Sequence, residues 1–380
     1  MTGGAAIDAG SVMRTLTGAG FGPFFGVPCS YLAPLVTWCE RNAPDLYVAV
    51  NNEGEAVALA AGSHLAGRRP VVMIQNSGLG NAVNPFTSLC QPMRIPLLLL
   101  VTWRGEPGRP DEPQHRLMGA ITLPLLDLML IDHEPIATAT TAFEDQVHRA
   151  SRHLDGSGLS RALVVPGGSI KPVPTEPPAT GLPLRRDVIA AVVDGLPDDV
   201  VVVATTGKTA RELEANHDRP ANLYVVGSMG CASSIALGIA RERPDRTVVV
   251  LDGDGAALMR LESMVSVGAH RPERFVHVLL DNGAYESTGG QRTNSPDVDF
   301  LAIARGCGYR TARTTDDAVT AAELTRSALT GGGPHLIRVG IGVGSDPALG
   351  RPSRTPPAVA ERLRGTLAAR RPPVPDAGRR

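Results

Sequence analysis

Apolar runs rich in Val, Ile and Leu recur along this chain, each closed by glycine, proline or a polar cluster and followed by a longer stretch with helical spacing. Such runs, apolar at consecutive positions rather than alternating, predict strands buried on both faces of a parallel sheet. In the first half they fall at residues 22–25, 46–50, 70–75, 96–101 and 162–165. In the second half they fall at 200–204, 222–226, 247–251, 275–280 and 335–339. With helical stretches between them, they predict an α/β fold of two doubly wound parallel-sheet domains, residues 1–165 and 184–369. Residues 166–183, rich in Pro, Gly and Thr, read as a linker. A last short helix and a basic, Pro-rich disordered tail at 370–380 are expected to close the chain.

Composition narrows the function classes. At 380 residues, 43% hydrophobic and 20% charged, the chain is long enough to bury two cores. A formal net charge of −1 gives no reason to expect nucleic acid or an anionic membrane as partner. The longest apolar run, 95–101, is too short to span a bilayer, and residues 1–10 lack the basic start and apolar core of an export leader. Five dispersed cysteines without a Cys-x-x-Cys pair predict reduced thiols in the cytoplasm and no zinc site.

Candidate chemistry sits at two strand ends. Gly253-Asp254-Gly255 follows the run at 247–251, with a helical pattern resuming near Leu258, and Asp281-Asn282-Gly283 follows the run at 275–280. Open α/β sheets bind ligands at the carboxyl ends of their strands. Asp254 and Asn282 on neighbouring strand ends suit Mg²⁺, which takes few protein ligands and completes its shell with phosphate oxygens and water. Gly253 and Gly255, lacking Cβ atoms, allow backbone N–H groups to approach a phosphate.

This spacing resembles the diphosphate and Mg²⁺ motif of thiamine diphosphate enzymes. The resemblance implies a fold of the thiamine diphosphate-binding type with no middle domain, Asp254 and Asn282 as side-chain metal ligands, and the Ala284 carbonyl as a third. It also implies a Glu that hydrogen-bonds N1' of the cofactor. Asn52-Glu53-Gly54, opening an Ala-rich stretch to Gly62, places Glu53 there, with Glu55 the nearest rival. Val226-Gly227-Ser228-Met229-Gly230, ahead of a helix at 231–240, resembles the segment that cradles the middle of the cofactor. By that match the Gly227 carbonyl accepts from the 4'-amino group, Met229 supports the bent cofactor, and Ser228 lies between them. Thr206, in Thr205-Thr206-Gly207-Lys208, is a further expected contact. In this family each cofactor spans two subunits, which implies at least a homodimer.

Further passages resemble the phosphonopyruvate decarboxylase branch of the family: Gly26-Val27-Pro28-Cys29-Ser30, Trp103 to Gly108, Asp111 to His115, Gly119 to Thr122, and Gly283 to Gln291. That branch implies a carboxy-lyase taking 3-phosphonopyruvate to phosphonoacetaldehyde and CO₂, through a thiamine ylide adduct, in phosphonate biosynthesis. Whether the end product is an antibiotic stays open. A doubly charged phosphonate needs fixed donors, for which Ser30, Arg104, Ser287, Thr288 and Gln291 are candidates. Asn76 to Asn81 supplies either pocket residues or helix caps. His115, able to titrate near neutrality, takes the proton-handling place. Sulfopyruvate or another 2-oxo acid is the alternative substrate, and a non-catalytic cofactor-binding protein the alternative class. The chain departs from the family pattern at Ala256, at Asp281 in place of the first Asn, and at Tyr285 where a His is common.

Overall fold

The computed structural model describes residues 6–174 and 180–368, so the predicted tail at 370–380 lies outside the described residues. The chain forms two compact units: residues up to 174 together with Tyr285–Asn294, and residues 180–284 together with 295–368.

The first unit is built on β1 (Phe24–Gly26), β2 (Tyr47–Ala49), β3 (Val71–Ile74), β4 (Leu98–Trp103), β5 (Asp132–Pro135) and β6 (Arg161–Pro166). Its helices are α1 (Ala9–Gly18), α2 (Ala33–Asn42), α3 (Glu53–Leu65), α4 (Leu79–Pro85), α5 (Pro113–Leu128) and α6 (Thr140–Ser157). The strands are all parallel, in the order β2-β1-β3-β4-β6-β5.

The second unit carries α7 (Arg185–Asp194), β7 (Val201–Ala204), α8 (Lys208–His217), β8 (Asn222–Tyr224), α9 (Ala232–Glu242), β9 (Val248–Gly253), α10 (Asp254–Met259), α11 (Glu262–His270) and β10 (Phe275–Asp281). A small ribbon follows, β11 (Ala284–Tyr285) with β12 (Gln291–Arg292). Then come α12 (Phe300–Cys307), β13 (Thr311–Thr315), α13 (Ala318–Ala328), β14 (His335–Gly340) and α14 (Pro356–Ala368). Its parallel sheet runs β13-β14-β10-β9-β7-β8. Counted within each unit and leaving out the ribbon, the two sheets have the same strand order, 2-1-3-4-6-5.

All ten predicted strands form, with ends shifted by at most two residues. For the interior strands the reason is burial on both faces, whereas β2, at the sheet edge, is only partly buried. Val202, Ala204, Val249 and Leu251 enter one apolar layer of the second unit, and Val201, Val203, Val248 and Val250 enter the other. Each fully buried Val or Leu side chain contributes roughly 1.5–3 kcal/mol. β5 and β13 were not predicted because their sequences are largely polar, and the ribbon was not because its strands are only two residues each. The helix expected near Leu258 begins four residues earlier, at Asp254, and the one expected from 231 begins at Ala232. Among the described residues no helix is long and apolar enough to cross a membrane.

This strand order fixes where ligands can bind. In the first unit β1 leads outward to β2 while β3 leads the other way to β4, and in the second β7 and β9 diverge in the same manner. A crevice opens at the carboxyl ends of such diverging neighbours.

Candidate active site

In the first unit, β2 ends at Ala49 and the chain reaches α3 through Asn52, whose side-chain oxygen accepts from the Gly54 N–H at 2.8 Å and caps the helix. Glu53 therefore occupies the first helical position, buried at 5% exposure. Asn81 donates from Nδ2 to Glu53 Oε2 at 2.7 Å. The carboxylate lies against Gly78, where a Cβ would come within 2.3 Å of Oε1. Glu55 is exposed and accepts the Asn51 N–H at 3.0 Å, a local capping role that separates it from Glu53.

Beside β1, burial pushes the Cys29 thiol up to about 12, so it remains protonated next to Ser30. Arg104, at the end of β4, is expected as a phosphonate donor, but its Nε and Nη2 edge already faces Asp111, at 2.8 and 2.6 Å. The guanidinium stacks over Tyr31 with Nη1 3.4 Å from Ser30 Oγ. That bidentate bond, supported by the Gly105 and Glu112 N–H groups, holds the Asp111 carboxyl well below its ordinary range. Asn76 knots the same loop together: its Nδ2 donates to the Arg104 carbonyl (2.8 Å) and Thr122 Oγ1 (2.9 Å), while its Oδ1 accepts the Arg104 N–H (3.1 Å). His115 sits in the first turn of α5, its carbonyl packed against Gly105.

The ribbon residues Tyr285–Asn294 belong to this unit. Asn294 donates to the Ala49 carbonyl at 3.3 Å, and Arg292 lies close enough to Glu40 to oppose the rise that burial imposes on its carboxyl. Gln291 is 2% exposed, and neither atom of its amide has a hydrogen-bond partner among the described residues. The Thr288 hydroxyl donates to the Tyr285 carbonyl at 3.1 Å and closes the turn. Ser287 is exposed.

In the second unit, the register pairs Leu280 with Gly253, so Asp254 and Asn282 emerge side by side from β9 and β10. Asp254 opens α10 at 3% exposure, and Gly255 follows it, also buried. Asn282 Oδ1 accepts the Ala284 N–H at 3.1 Å, which turns the Ala284 segment back over the strand end. Beneath the motif, Asp252 accepts from Gly253 N–H at 3.0 Å and faces His277 Nε2 at 3.3 Å, while His277 Nδ1 lies 3.3 Å from the Tyr309 hydroxyl. Asp252 and His277 are fully buried. Neither had a signal in the sequence beyond a polar residue inside an apolar run.

On the neighbouring strand end, Thr206 Oγ1 accepts the Gly227 N–H at 3.0 Å, so this hydroxyl shapes the Gly227 to Gly230 segment. Gly227, Ser228 and Gly230 all have positive φ. At Gly230 a Cβ would lie 2.8 Å from the Ala256 carbonyl, which requires glycine there. Met229 is half-buried. Two observations favour an anionic ligand at this edge. Thr205 Oγ1, just past the end of β7, is buried with no hydrogen-bond partner among the described residues. At Gly253, whose φ is negative, a Cβ would meet nothing within 4 Å, so the unit's own packing does not demand glycine. An unbonded hydroxyl and an open cradle above a helix start fit a diphosphate, and a carboxylate, an amide and a carbonyl fit Mg²⁺.

Comparison with known proteins agrees with this division. The N-terminal TPP binding domain of thiamine pyrophosphate enzymes matches residues 9–123, and the C-terminal TPP binding domain matches residues 205–339. A phosphonopyruvate decarboxylase of Streptomyces viridochromogenes is 43% identical over 379 residues, covering 94% of each chain. One from Streptomyces hygroscopicus is 42% identical, covering 94% of this chain and 93% of its own. A sulfopyruvate decarboxylase of Methanosarcina acetivorans is 30% identical, covering 75% of this chain and 78% of its own.

Proposed function

The chain belongs to the thiamine pyrophosphate enzymes, within the phosphonopyruvate decarboxylase family, and we propose that it converts 3-phosphonopyruvate to phosphonoacetaldehyde and CO₂ in phosphonate biosynthesis. The observation that carries the substrate is Gln291, a buried amide with neither atom bonded, in the unit that holds Ser30 and Arg104. A buried unpaired amide is costly unless a ligand satisfies it, and the methyl group of pyruvate cannot.

Bound thiamine diphosphate supplies the carbanion that attacks the 2-oxo group and the electron sink for the departing carboxylate. Glu53 would hydrogen-bond N1' of the pyrimidine, and Gly227 and Met229 would hold the cofactor's middle. Gly253, Gly255, Ser228 and Thr205 would face the diphosphate, while Thr206 holds Gly227 in place. Asp254, Asn282 and the Ala284 carbonyl would hold Mg²⁺. Ser30, the Nη1 side of Arg104, Ser287 and Gln291 would receive the phosphonate, and His115 would deliver the proton that replaces the carboxylate.

A homodimer or larger assembly accompanies this reading. The face of α3 that follows Glu53 exposes Ala58, Leu59, Gly62 and Leu65, a small and apolar surface suited to a second copy of the chain. All five cysteines are unpaired thiols, which supports a reducing, cytoplasmic setting.

The test is CO₂ release with Mg²⁺ and thiamine diphosphate from phosphonopyruvate, sulfopyruvate and pyruvate. The kcat/KM for phosphonopyruvate should exceed that for pyruvate by on the order of 10⁴, the discrimination expected when buried polar groups would otherwise stay unpaired. A preference for pyruvate would defeat the assignment, and a preference for sulfopyruvate would move it to the sister activity.

A further inference from the structure

Asp281 replaces an Asn of the family pattern and directly precedes Asn282. Its carboxylate, 6% exposed, gathers three donors. Oδ1 accepts the Gly283 N–H at 3.2 Å and the Ser295 hydroxyl at 2.6 Å, while Oδ2 accepts Arg338 Nε at 2.9 Å. Gly283 opens the excursion that contains Ala284 and the ribbon, and Ser295 closes it, so a single carboxylate fastens both ends of residues 283–295. Arg338 projects from β14, the strand paired with β10, and its Nη1 also lies 3.3 Å from Asp316 and 3.5 Å from Thr314 Oγ1. Asn at 281 could accept from Gly283 and Ser295 equally well. It could not accept from Arg338 without giving up one of them, because its second polar atom is a donor.

We propose that Asp281, anchored by Arg338, is a positioning residue for the metal site: it closes the neck of the 283–295 excursion and thereby fixes Asn282 and Ala284 as ligands. The inference rests on reading those two residues as holding Mg²⁺. Mg²⁺ demands near-ideal octahedral geometry, so slack at the neck is felt at the ion. Groups that orient metal ligands typically change metal affinity by about 10–100-fold when removed.

The experiment is calorimetric titration of Mg²⁺ into the full-length protein with thiamine diphosphate present, together with the rate of trypsin cleavage at the exposed Arg292. Asp281→Asn and Arg338→Met should each weaken Mg²⁺ binding, the former by about 10–100-fold, and should each accelerate cleavage at Arg292. Combining them removes the donor that faces the new amide, so the double variant should bind Mg²⁺ at least as tightly as Asp281→Asn alone. Arg338 is partly exposed, and Arg338→Met keeps the test available should Asp281→Asn fold poorly. Unchanged Mg²⁺ affinity in either folded single variant would overturn the proposal. So would strictly additive losses in the double variant, or a lowered unfolding midpoint with normal affinity, the signature of a merely structural role. Absence of Mg²⁺ binding by the wild-type protein would instead overturn the cofactor reading on which the proposal stands.

Discussion

Glu53 is held rather than merely placed, since Asn81 donates to Oε2 at 2.7 Å and the carboxylate fits only because position 78 has no Cβ. A hydrogen bond to a charged group contributes about 1.5–3 kcal/mol, so Asn81→Ala should lower kcat by about 10- to 100-fold. Gly78→Ala places a methyl group where Glu53 Oε1 lies and should cost at least as much kcat, and both variants should also lose about 1–3 kcal/mol of stability. Steady-state kinetics beside circular dichroism checks both expectations; wild-type kcat in Asn81→Ala would remove the residue from the mechanism. Asn81 was only half legible in the sequence, as a pocket residue or a helix cap, because its partner lies 28 positions away and no local period encodes that pairing. Arg104 was legible as a cation but not as one already bound by Asp111. The Asp111 carboxyl is depressed in the folded protein, so its contribution to stability is fully present above the unfolded value near 3.9 and is lost only as pH falls toward the lower folded value. Asp111→Asn should therefore raise KM for the substrate while leaving the position of the acidic limb of the pH–rate profile unchanged. A displaced limb would show that this carboxyl titrates in the working range.

At the scale of elements, the turn after β4 and the start of α5 lock backbone to backbone. A Cβ on Gly119 would lie 1.8 Å from the Gly105 carbonyl, and one on Gly105 would lie 2.0 Å from that of His115. Trp103 Nε1 also donates to the Gly119 carbonyl at 2.8 Å. Part of what the sequence offered as a substrate signature, Trp103 to Gly108 with Gly119 to Thr122, is thus a packing constraint that delivers His115 to its place. Gly119→Ala overfills this contact and should destabilise the protein by about 1–3 kcal/mol. Its unfolding midpoint in urea should fall, and turnover should fall with it as His115 shifts; a midpoint equal to wild type would mean that the helix start moves freely. The same physics explains which elements the sequence announced. The interior strands are apolar on both faces and were found to within two residues, as were the edge strands β2, Tyr-Val-Ala, and β8, Asn-Leu-Tyr, which keep apolar residues, whereas the other two edge strands, β5, Asp-His-Glu-Pro, and β13, Thr-Ala-Arg-Thr-Thr, are largely polar. There, ion pairs such as those of Arg161 with Asp132 and Glu134 take the place of an apolar pattern. The early start of α10 was hidden because Gly-Asp-Gly reads as a turn, although a buried Asp at a helix start is favoured by the helix dipole.

For the whole molecule, the repeated strand order gives two crevices of the same kind, and on the proposed reading they would do different work: the first unit would offer Glu53, and the second Asp254 and Asn282. On that reading neither unit holds both kinds of group, and a complete cofactor site would take one unit of each kind. In a closed homodimer the pairing can be made within a chain or between chains, and the two arrangements predict different behaviour when lesions are mixed. If sites form within a chain, every site in a mixture of Glu53→Gln and Asp254→Ala subunits carries one lesion, and activity stays absent. If sites form between chains, a mixed dimer has one doubly damaged site and one in which Glu53 and Asp254 are both intact. Equal mixing gives about half mixed dimers and so about a quarter of the wild-type activity. We expect this recovery, measured as CO₂ release after subunit exchange has been verified by co-purification of a tagged variant with an untagged one. No recovery once exchange is verified would place each site within a single chain. The apolar α3 face would then have to bring subunits together for a reason other than completing the site.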